Sequence, residues 1–370
     1  MLAEGSECRT GFTPFDPDFP FPTVQYGRRG HIGGSMRTIF GPVMAIVAMA
    51  LGSVSAQAAD APVLTIYTYD SFASEWGPGP AIKTSFEAEC GCEVKFVALD
   101  SSIGILGRVQ LEGSASKADL VLGFDTSLME TARDTGLFVP HGVKLPGRTA
   151  LPVAFDDDYF VPFDWGYFAF IYNSETMTSP PTSLQALINA PDDMRIVIQD
   201  PRTSTPGLGL LLWVRSVYGD EAGDAWARLA PKIVTVTKGW WDAYSMFLDG
   251  EADMVLSYST SPAYHIFAEG TNRYKAAAFD EGHYMQVEVA AMLKNAPQPE
   301  LARQFMDFIL TPGFQSVIPT TNWMYPAGKA ELPDAFDGLI QPGKSRLYSA
   351  REVARNKSIW VDEWQRALSQ

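Results

Sequence analysis

The chain has 370 residues, 46% of them apolar, enough for two domains with cores of their own. With 43 acidic against 28 basic side chains, its formal net charge is −15 at pH 7. That balance excludes nucleic acid and anionic membrane surfaces as partners and suits a cationic ligand.

The chain opens on a leader pattern. Residues 39–51 are charge-free and rich in Ala, Val, Ile and Met, with Met36 and Arg37 before them and Ala56-Gln57-Ala58 after, the small-x-small form of a secretory cleavage site. Translation is expected to start at Met36, and residues 1–58 to be removed on export, with cleavage near Ala58. The pair Arg28-Arg29 is a poor match to a twin-arginine signal, since Gly30, His31 and Ile32 follow it. The apolar run is short for a bilayer span, and nothing downstream of it is longer. Residues 1–58 hold acids and bases in equal number, so the exported remainder keeps the full negative charge.

Beyond the leader, strands and helices alternate. Residues 63–67 read as a buried strand, 80–90 as a helix with Ile82, Phe86 and Cys90 on one face, and 93–97 as a second strand. A helix carrying Ile103, Leu106 and Val109 comes next, then an apolar strand at 120–122 and a helix over 127–134 stopped by Gly136. Short units in this order predict a parallel sheet covered on both faces, with ligands beyond the carboxyl ends of the strands. Within this region Cys90 and Cys92 flank Gly91, where the chain turns sharply enough for a local structural disulfide in an oxidising compartment. No further Cys pair or spaced His accompanies them as metal ligands.

The strand exits carry the chemistry. After the first come Tyr69, Asp70, Ser71 and, close behind, Trp76; after the second Asp100, Ser101 and Ser102; after the third Asp125. Turns and helix caps also account for such residues, Ser102 and Asp125 sitting where N-caps belong. Their recurrence at equivalent positions favours a site.

Residues 160–172 read as a crossing strand containing Asp164. The segment DPRTSTPGLGLLLW at 200–213 then places hydroxyls and two glycines ahead of an apolar helix running through Val217. Unpaired first-turn amides, the dipole and the hydroxyls of Ser204 and Thr205 together suit an anion. An ordinary capped helix has the same pattern. Strands at 233–237 and 254–257 lead into Trp240-Trp241 and into Tyr258-Ser259-Thr260-Ser261, with Tyr264 and His265 beyond. A second crossing strand at 285–293 precedes an amphipathic helix with Leu301, Phe305, Phe308 and Ile309 on its apolar face. The region after the leader shows no internal repeat and no low-complexity segment.

Taken together, VLTIYTYDSFASEWGPGP, the CGC turn, FVPFDWGYFAFIYN, QDPRTSTPGLGLLLW, TVTKGW, VLSYSTSPAYH, EGHYMQVEVAA and IPTTNWMYP resemble the periplasmic thiamine-binding proteins of ABC importers. The resemblance runs in the family's order from about residue 62 to 365. It implies a type II periplasmic binding protein, with two doubly wound α/β lobes joined by crossing hinge strands and the ligand between them. The first lobe would comprise 59–163 and 287–330, the second 164–286 and 331–370.

By matching motif positions, the resemblance implies ligand contacts at Tyr69, Trp76, Ser101, Ser102, Ser204, Thr205, Trp240, Tyr258, Ser259, Thr260, Ser261 and Tyr264. Relatives are expected to have Asp-Gly where this chain has Ser101-Ser102, which leaves Asp100 as a partial substitute for an acidic contact there. The implied ligands are thiamine, thiamine monophosphate and thiamine diphosphate, delivered by a monomer to an inner-membrane ABC permease, with no cofactor, metal or catalysis. Trp240, Tyr258 and Tyr264 suit a cationic thiazolium and its flat partner ring, a contact worth ~2 kcal/mol when desolvated. Asp125 or Asp164 would supply the countercharge, and the phosphate would fall to Ser204, Thr205 and the hydroxyls at 258–261. Core packing accounts equally for the aromatic cluster.

Three rival readings are weaker. A thiamine-degrading enzyme needs a nucleophile in the cleft, and His265 and His283 have no Cys or Ser partner in the pattern. Ferric iron calls for adjacent tyrosines, which the chain lacks, and a polyamine leaves the 200–213 segment without a purpose.

Overall fold

The computed structural model describes residues 61–369. The readings of Met36 as the start and Ala58 as the cleavage point, together with Cys8, lie outside these residues. The strands, in chain order, are β1 (Val63–Tyr69), β2 (Glu93–Leu99), β3 (Leu120–Asp125), β4 (Phe138–Val139), β5 (Phe160–Asn173) and β6 (Ile196–Gln199). They continue as β7 (Ile233–Thr237), β8 (Met254–Tyr258), β9 (Tyr274–Ala276), β10 (His283–Leu293), β11 (Tyr325–Pro326) and β12 (Ser345–Arg346).

The main path of strands runs β2-β1-β3-β10-β5-β8-β6-β7. Its two ends are parallel, as βα units require: β1 pairs with β2 and β3, and β6 with β7 and β8. In its middle the two strands read as crossing strands run against this order, β10 antiparallel to both β3 and β5, and β5 antiparallel to β8. The reason lies in β5, which is long enough to serve two neighbourhoods. Phe160–Tyr167 pair with β10, while Phe168–Tyr172 pair with β8 and its last residues with β9. Nearly all of β5 is buried, as its unbroken apolar and aromatic run requires of a strand covered on both faces.

Period-two alternation then divides the apolar side chains between two faces at each end. Leu64, Ile66, Leu120 and Leu122 pack with Phe305, Phe308 and Phe314 on one side, while Tyr67, Val121 and Phe124 pack with Ile105, Val109 and Phe160 on the other. At the far end Phe168, Phe170, Ile196 and Ile198 meet the helix Thr205–Tyr218, and Ala169, Ile171 and Val197 meet Tyr244 and Phe247. These two double-sided cores are the two doubly wound halves of the fold. Cys90 and Cys92 are disulfide-bonded at the end of the helix Gly79–Cys90, whose carboxyl terminus Gly91 closes at φ 61°.

Several helices are absent from the sequence-based expectation. Trp240–Leu248 and Ser261–Ala268 begin at residues read there as strand exits. The longest, Ala350–Leu368, closes the chain: Ser349 accepts from the amide of Glu352 at its start, and Val353, Trp360, Val361 and Trp364 bury one stripe. It packs on the helices Ala222–Leu229 and Met129–Asp134. Among the described residues no helix is long and apolar enough to cross a membrane.

The glycines of the 200–213 segment turn out to serve packing. A side chain on Gly209 would enter the van der Waals envelope of the Phe168 ring, and one on Gly207 would collide with the backbone carbonyls of Gln199 and Asp200. Gly209→Ala is therefore expected to overpack the junction of that helix with β5 and destabilise the protein by about 1–3 kcal/mol. A urea midpoint unchanged from that of the parent would refute this account of the glycine.

Candidate ligand-binding cleft

Three acids on three adjacent strands stand level with one another. The register pairs Glu288 of β10 with Asp125 of β3 on one side and with Asp164 of β5 on the other. Directly paired residues project to the same face of a sheet, so the three carboxyls share one neighbourhood. All three are buried, Asp164 completely. The ladder slips at this point on both sides of β10, after Glu288 against β5 and after Val289 against β3. Irregularities of this kind re-aim side chains.

Tyr69 donates its hydroxyl to Glu288 Oε2 at 2.8 Å, and Asn322 Nδ2 donates to Asp164 Oδ2 at 2.6 Å and lies 3.1 Å from the Tyr69 oxygen. Asp125 Oδ1 accepts from the amide of Ser127 at 2.6 Å. Asp164 Oδ1 and Asp125 Oδ2 are buried without a partner. Burial, followed by the charge of Glu288, holds the Asp164 carboxyl well above the ordinary range; burial likewise raises Glu288, with Asp125 adding to it. Burial also raises Asp125, and Lys357 of the C-terminal helix opposes that shift while its own ammonium is depressed by burial. The phenols of Tyr69 and Tyr258 are pushed up by burial and by the charge of Glu288.

Two walls meet over this floor. Thr205 donates to Ser102 Oγ at 3.0 Å and also neighbours Asp125. At the exposed margin Lys238 pairs with Asp100, and Trp76 lies against Trp241 with ring centroids 6.3 Å apart. Both tryptophans are more than half exposed. The N-cap expected of Ser102 belongs instead to Ser101, whose Oγ accepts from the amide of Gly104, leaving Ser102 free to meet Thr205. Ser204 is the N-cap of the next helix by conformation, yet its buried side chain makes no capping bond. Asp125 caps the turn at Ser127, short of the helix that follows.

The hydroxyls at 257–261 brace one another. Trp240 Nε1 donates to Ser257 Oγ, which shares a hydrogen with Ser261 Oγ, both at 2.8 Å, and Ser261 accepts from the amide of Tyr258. Thr260 contacts the sulfur of Met324, and Ser259 Oγ is buried without a partner. Trp240 stacks on Tyr244, Tyr258 leans on Phe168, and the half-exposed Tyr264 meets Trp323 edge-on at 5.3 Å. Among the expected residues, Tyr69, Asp125, Asp164 and Tyr258 thus gather at the acids, and Ser102 and Thr205 beside Asp125. Trp76 lies apart at the margin.

Residues that the sequence reading missed complete the arrangement: Glu288, Asn322, Trp323 and Lys357. Trp323 is the one described non-glycine residue in the left-handed region, at φ 56°, a conformation kept where surrounding structure imposes it. The histidines are structural. His283 bridges the carbonyl of Phe168 and the amide of Phe279, and burial depresses it to about 4; His265 bonds Tyr244 and Glu269. Among the described residues no group of side chains is suited to hold a metal ion.

Residues 68–316 match the family described as bacterial extracellular solute-binding protein. The chain is 53% identical over 308 residues to the thiamine-binding periplasmic protein of Escherichia coli K12, covering 83% of this chain and 94% of that one. A solved periplasmic thiamin binding protein superposes with a TM-score of 0.82 at 53% identity, covering 84% of this chain and 97% of the other. The ferric binding protein from Campylobacter jejuni superposes at 0.71 with 20% identity, covering 82% and 99%, a likeness of fold alone.

Asn322 holds both Asp164 and Tyr69 in place. Asn322→Ala removes the amide donor to a buried carboxyl and is expected to destabilise the protein by about 1–3 kcal/mol. A fall in urea midpoint with unchanged slope is the expected reading, and an unaltered midpoint would show that the amide is dispensable.

Proposed function

The chain belongs to the bacterial extracellular solute-binding proteins, and from that premise we propose that it is a periplasmic protein that captures thiamine between two lobes and passes it to an ABC import permease. The observation that carries this reading is the buried acid set Asp125, Glu288 and Asp164, with unpartnered oxygens on two of them, flanked by Tyr69 and Tyr258. Among the described residues none of these acids takes part in an ion pair closer than 4.0 Å. A buried carboxylate calls for a cation, and a thiazolium supplies one that is flat and permanently charged.

The aromatic walls fit the rest of such a ligand. Trp240 spends its indole N–H on Ser257 and keeps a ring face beside Trp241; Tyr264 and Trp323 present a second aromatic corner. We assign the lobes to 59–163 with 287–330 and to 164–286 with 331–370. Part of the core supports this, since Ile318 and Phe314 pack with Ile82 while Leu339 and Phe336 pack with Ala263, a group that Tyr325 joins from across the boundary. Removal of residues 1–58 on export, a monomeric state and the absence of catalysis belong to the same reading. Both cysteines beyond the leader are tied in a disulfide at the end of the helix Gly79–Cys90, which leaves no thiol to attack a ligand. Isothermal titration with thiamine, its two phosphates, spermidine and ferric citrate tests the assignment. Saturable binding of thiamine alongside silence from spermidine and ferric citrate is expected, and the reverse order would overturn it.

We further assign the phosphate of thiamine monophosphate and diphosphate to Ser204 and Thr205. With the two glycines accounted for by packing, support for this comes from the uncapped Ser204 hydroxyl and the start of a 14-residue helix. Replacing both residues by Ala is expected to weaken the phosphorylated ligands tens to hundreds of times, at roughly 1.5–3 kcal/mol for each lost bond to a charged group. Unphosphorylated thiamine should bind nearly as before. Equal weakening of all three ligands would assign the pair to lobe contact instead, through the Thr205–Ser102 bond.

A further inference from the structure

We propose that Asp125, Glu288 and Asp164 form one proton-sharing ladder beneath the cleft, and that capture of the cationic ligand expels a proton from it to solvent. The proposal rests on the thiamine reading above and adds a chemical consequence to it.

The geometry leaves little choice. Glu288 faces an acid on each side, because β10 lies between β3 and β5 in that register. The groups packed around them are few. From β1 comes the phenol of Tyr69, from β8 that of Tyr258, from the loop after Ile318–Thr321 the amide of Asn322, and from the C-terminal helix the ammonium of Lys357. Lys357 acts on Asp125, the outer rung, and offsets that charge. Neither Glu288 nor Asp164 has a basic neighbour within ion-pairing distance among the described residues. Tyr69 has one hydrogen and gives it to Glu288; Asn322 has two and divides them between Asp164 and the Tyr69 oxygen.

Two buried carboxyls side by side without a cation cannot both ionise, so one retains a proton. Glu288 has the phenol donor, which favours its charged form. Asp164 has one oxygen with no donor at all, and the retained proton falls to it. A thiazolium placed against the pair favours the second ionisation for the same Coulombic reason that its absence disfavours it. The O–H bond of Asp164 then breaks, both electrons stay on the carboxylate, and the proton passes to buffer.

The sign of the pH dependence follows. In the unliganded fold this pair stays protonated above the ordinary carboxyl range near about 4, where the unfolded chain has already released its protons. Its contribution to stability is therefore present at low pH and declines as pH rises through the raised values. The ligand, preferring the ionised pair, binds more tightly over that same rise.

The test is titration calorimetry of the purified protein with thiamine between pH 6.5 and 8.5, at each pH in two buffers of different ionisation enthalpy such as HEPES and Tris. The expected result is a heat that depends on buffer, giving release of up to one proton per thiamine, with affinity rising by up to about tenfold per pH unit until the release ends. Glu288→Gln removes the like charge from Asp164 and should shrink the release and flatten the profile. A lesion that merely loosens the fold would lower affinity equally at every pH. Asp125→Asn, which removes the charge on the far side of Glu288 and so eases ionisation of the pair, is the second variant should Glu288→Gln fail to fold. Thiamine binding whose heat is independent of buffer and whose affinity is flat across this range would overturn the ladder while leaving the thiamine reading intact. Absence of thiamine binding at every pH would overturn both.

Discussion

The pairing of β10 with β3 and β5 is the constraint on which the rest of the structure depends. It joins the two double-sided cores and breaks the parallel order of the sheet at its centre, and it sets Glu288 level with two other acids. Because side chains alternate along a strand, a one-residue slip in either pairing would turn Glu288 to the opposite face and put an apolar neighbour in its place. The register is held from both sides by apolar layers. Val287 and Val289 pack with Phe160 and Tyr167, and Ala290 and Met292 pack with Leu64 and Val161. The core thus specifies the geometry of the site, and the site makes no comparable contribution in return. Buried acids without cations weaken a fold, and binding a ligand that prefers the folded form restores what they cost.

What was legible in the sequence were the parts with local signals. β1, β2, β3, β7 and β8 begin within a residue of where alternation or apolar runs put them, because each is a short strand between turn residues, β1, β3 and β8 largely buried and β2 and β7 at the two ends of the sheet. The fold and the solute class followed from strings of residues resembling a known family. The acid ladder was not legible, since no local pattern says that residues 125, 164 and 288 will be neighbours. Glu288 sits in an apolar run that reads correctly as a crossing strand, and its meaning comes from two strands distant in sequence. Asn322 and Lys357 are invisible for the same reason. The C-terminal helix was missed although Ser349, Glu352 and the stripe from Val353 to Trp364 signal it by cap and periodicity.

The misread details share a cause. Ser101 and Ser102 are chemically identical, and which one caps the helix depends on a single residue of phase; the structure gives the cap to Ser101 and sends Ser102 across to Thr205. Gly207 and Gly209 looked like part of an anion loop because glycine beside hydroxyls is common to both a phosphate cradle and a crowded helix start. Only the Phe168 ring and the carbonyls of Gln199 and Asp200 distinguish the two.

The contacts between the walls are unequal in kind, and that bears on how a ligand enters. Trp76 on Trp241 and Lys238 on Asp100 lie in water, where an ion pair is screened and an exposed aromatic pair gains little from burial. Thr205 on Ser102 is buried and stands beside Asp125, so separating the walls there returns a carboxyl and two hydroxyls to water that solvates them well. Opening the cleft without its ligand therefore relieves buried polar groups as much as it breaks contacts. With the proposed cation in place the same carboxyls would be paired, and opening would separate opposite charges. On that proposal a preference for the closed cleft would come from the charge of the ligand, since a neutral solute of the same shape would leave Glu288 and Asp164 without a cation.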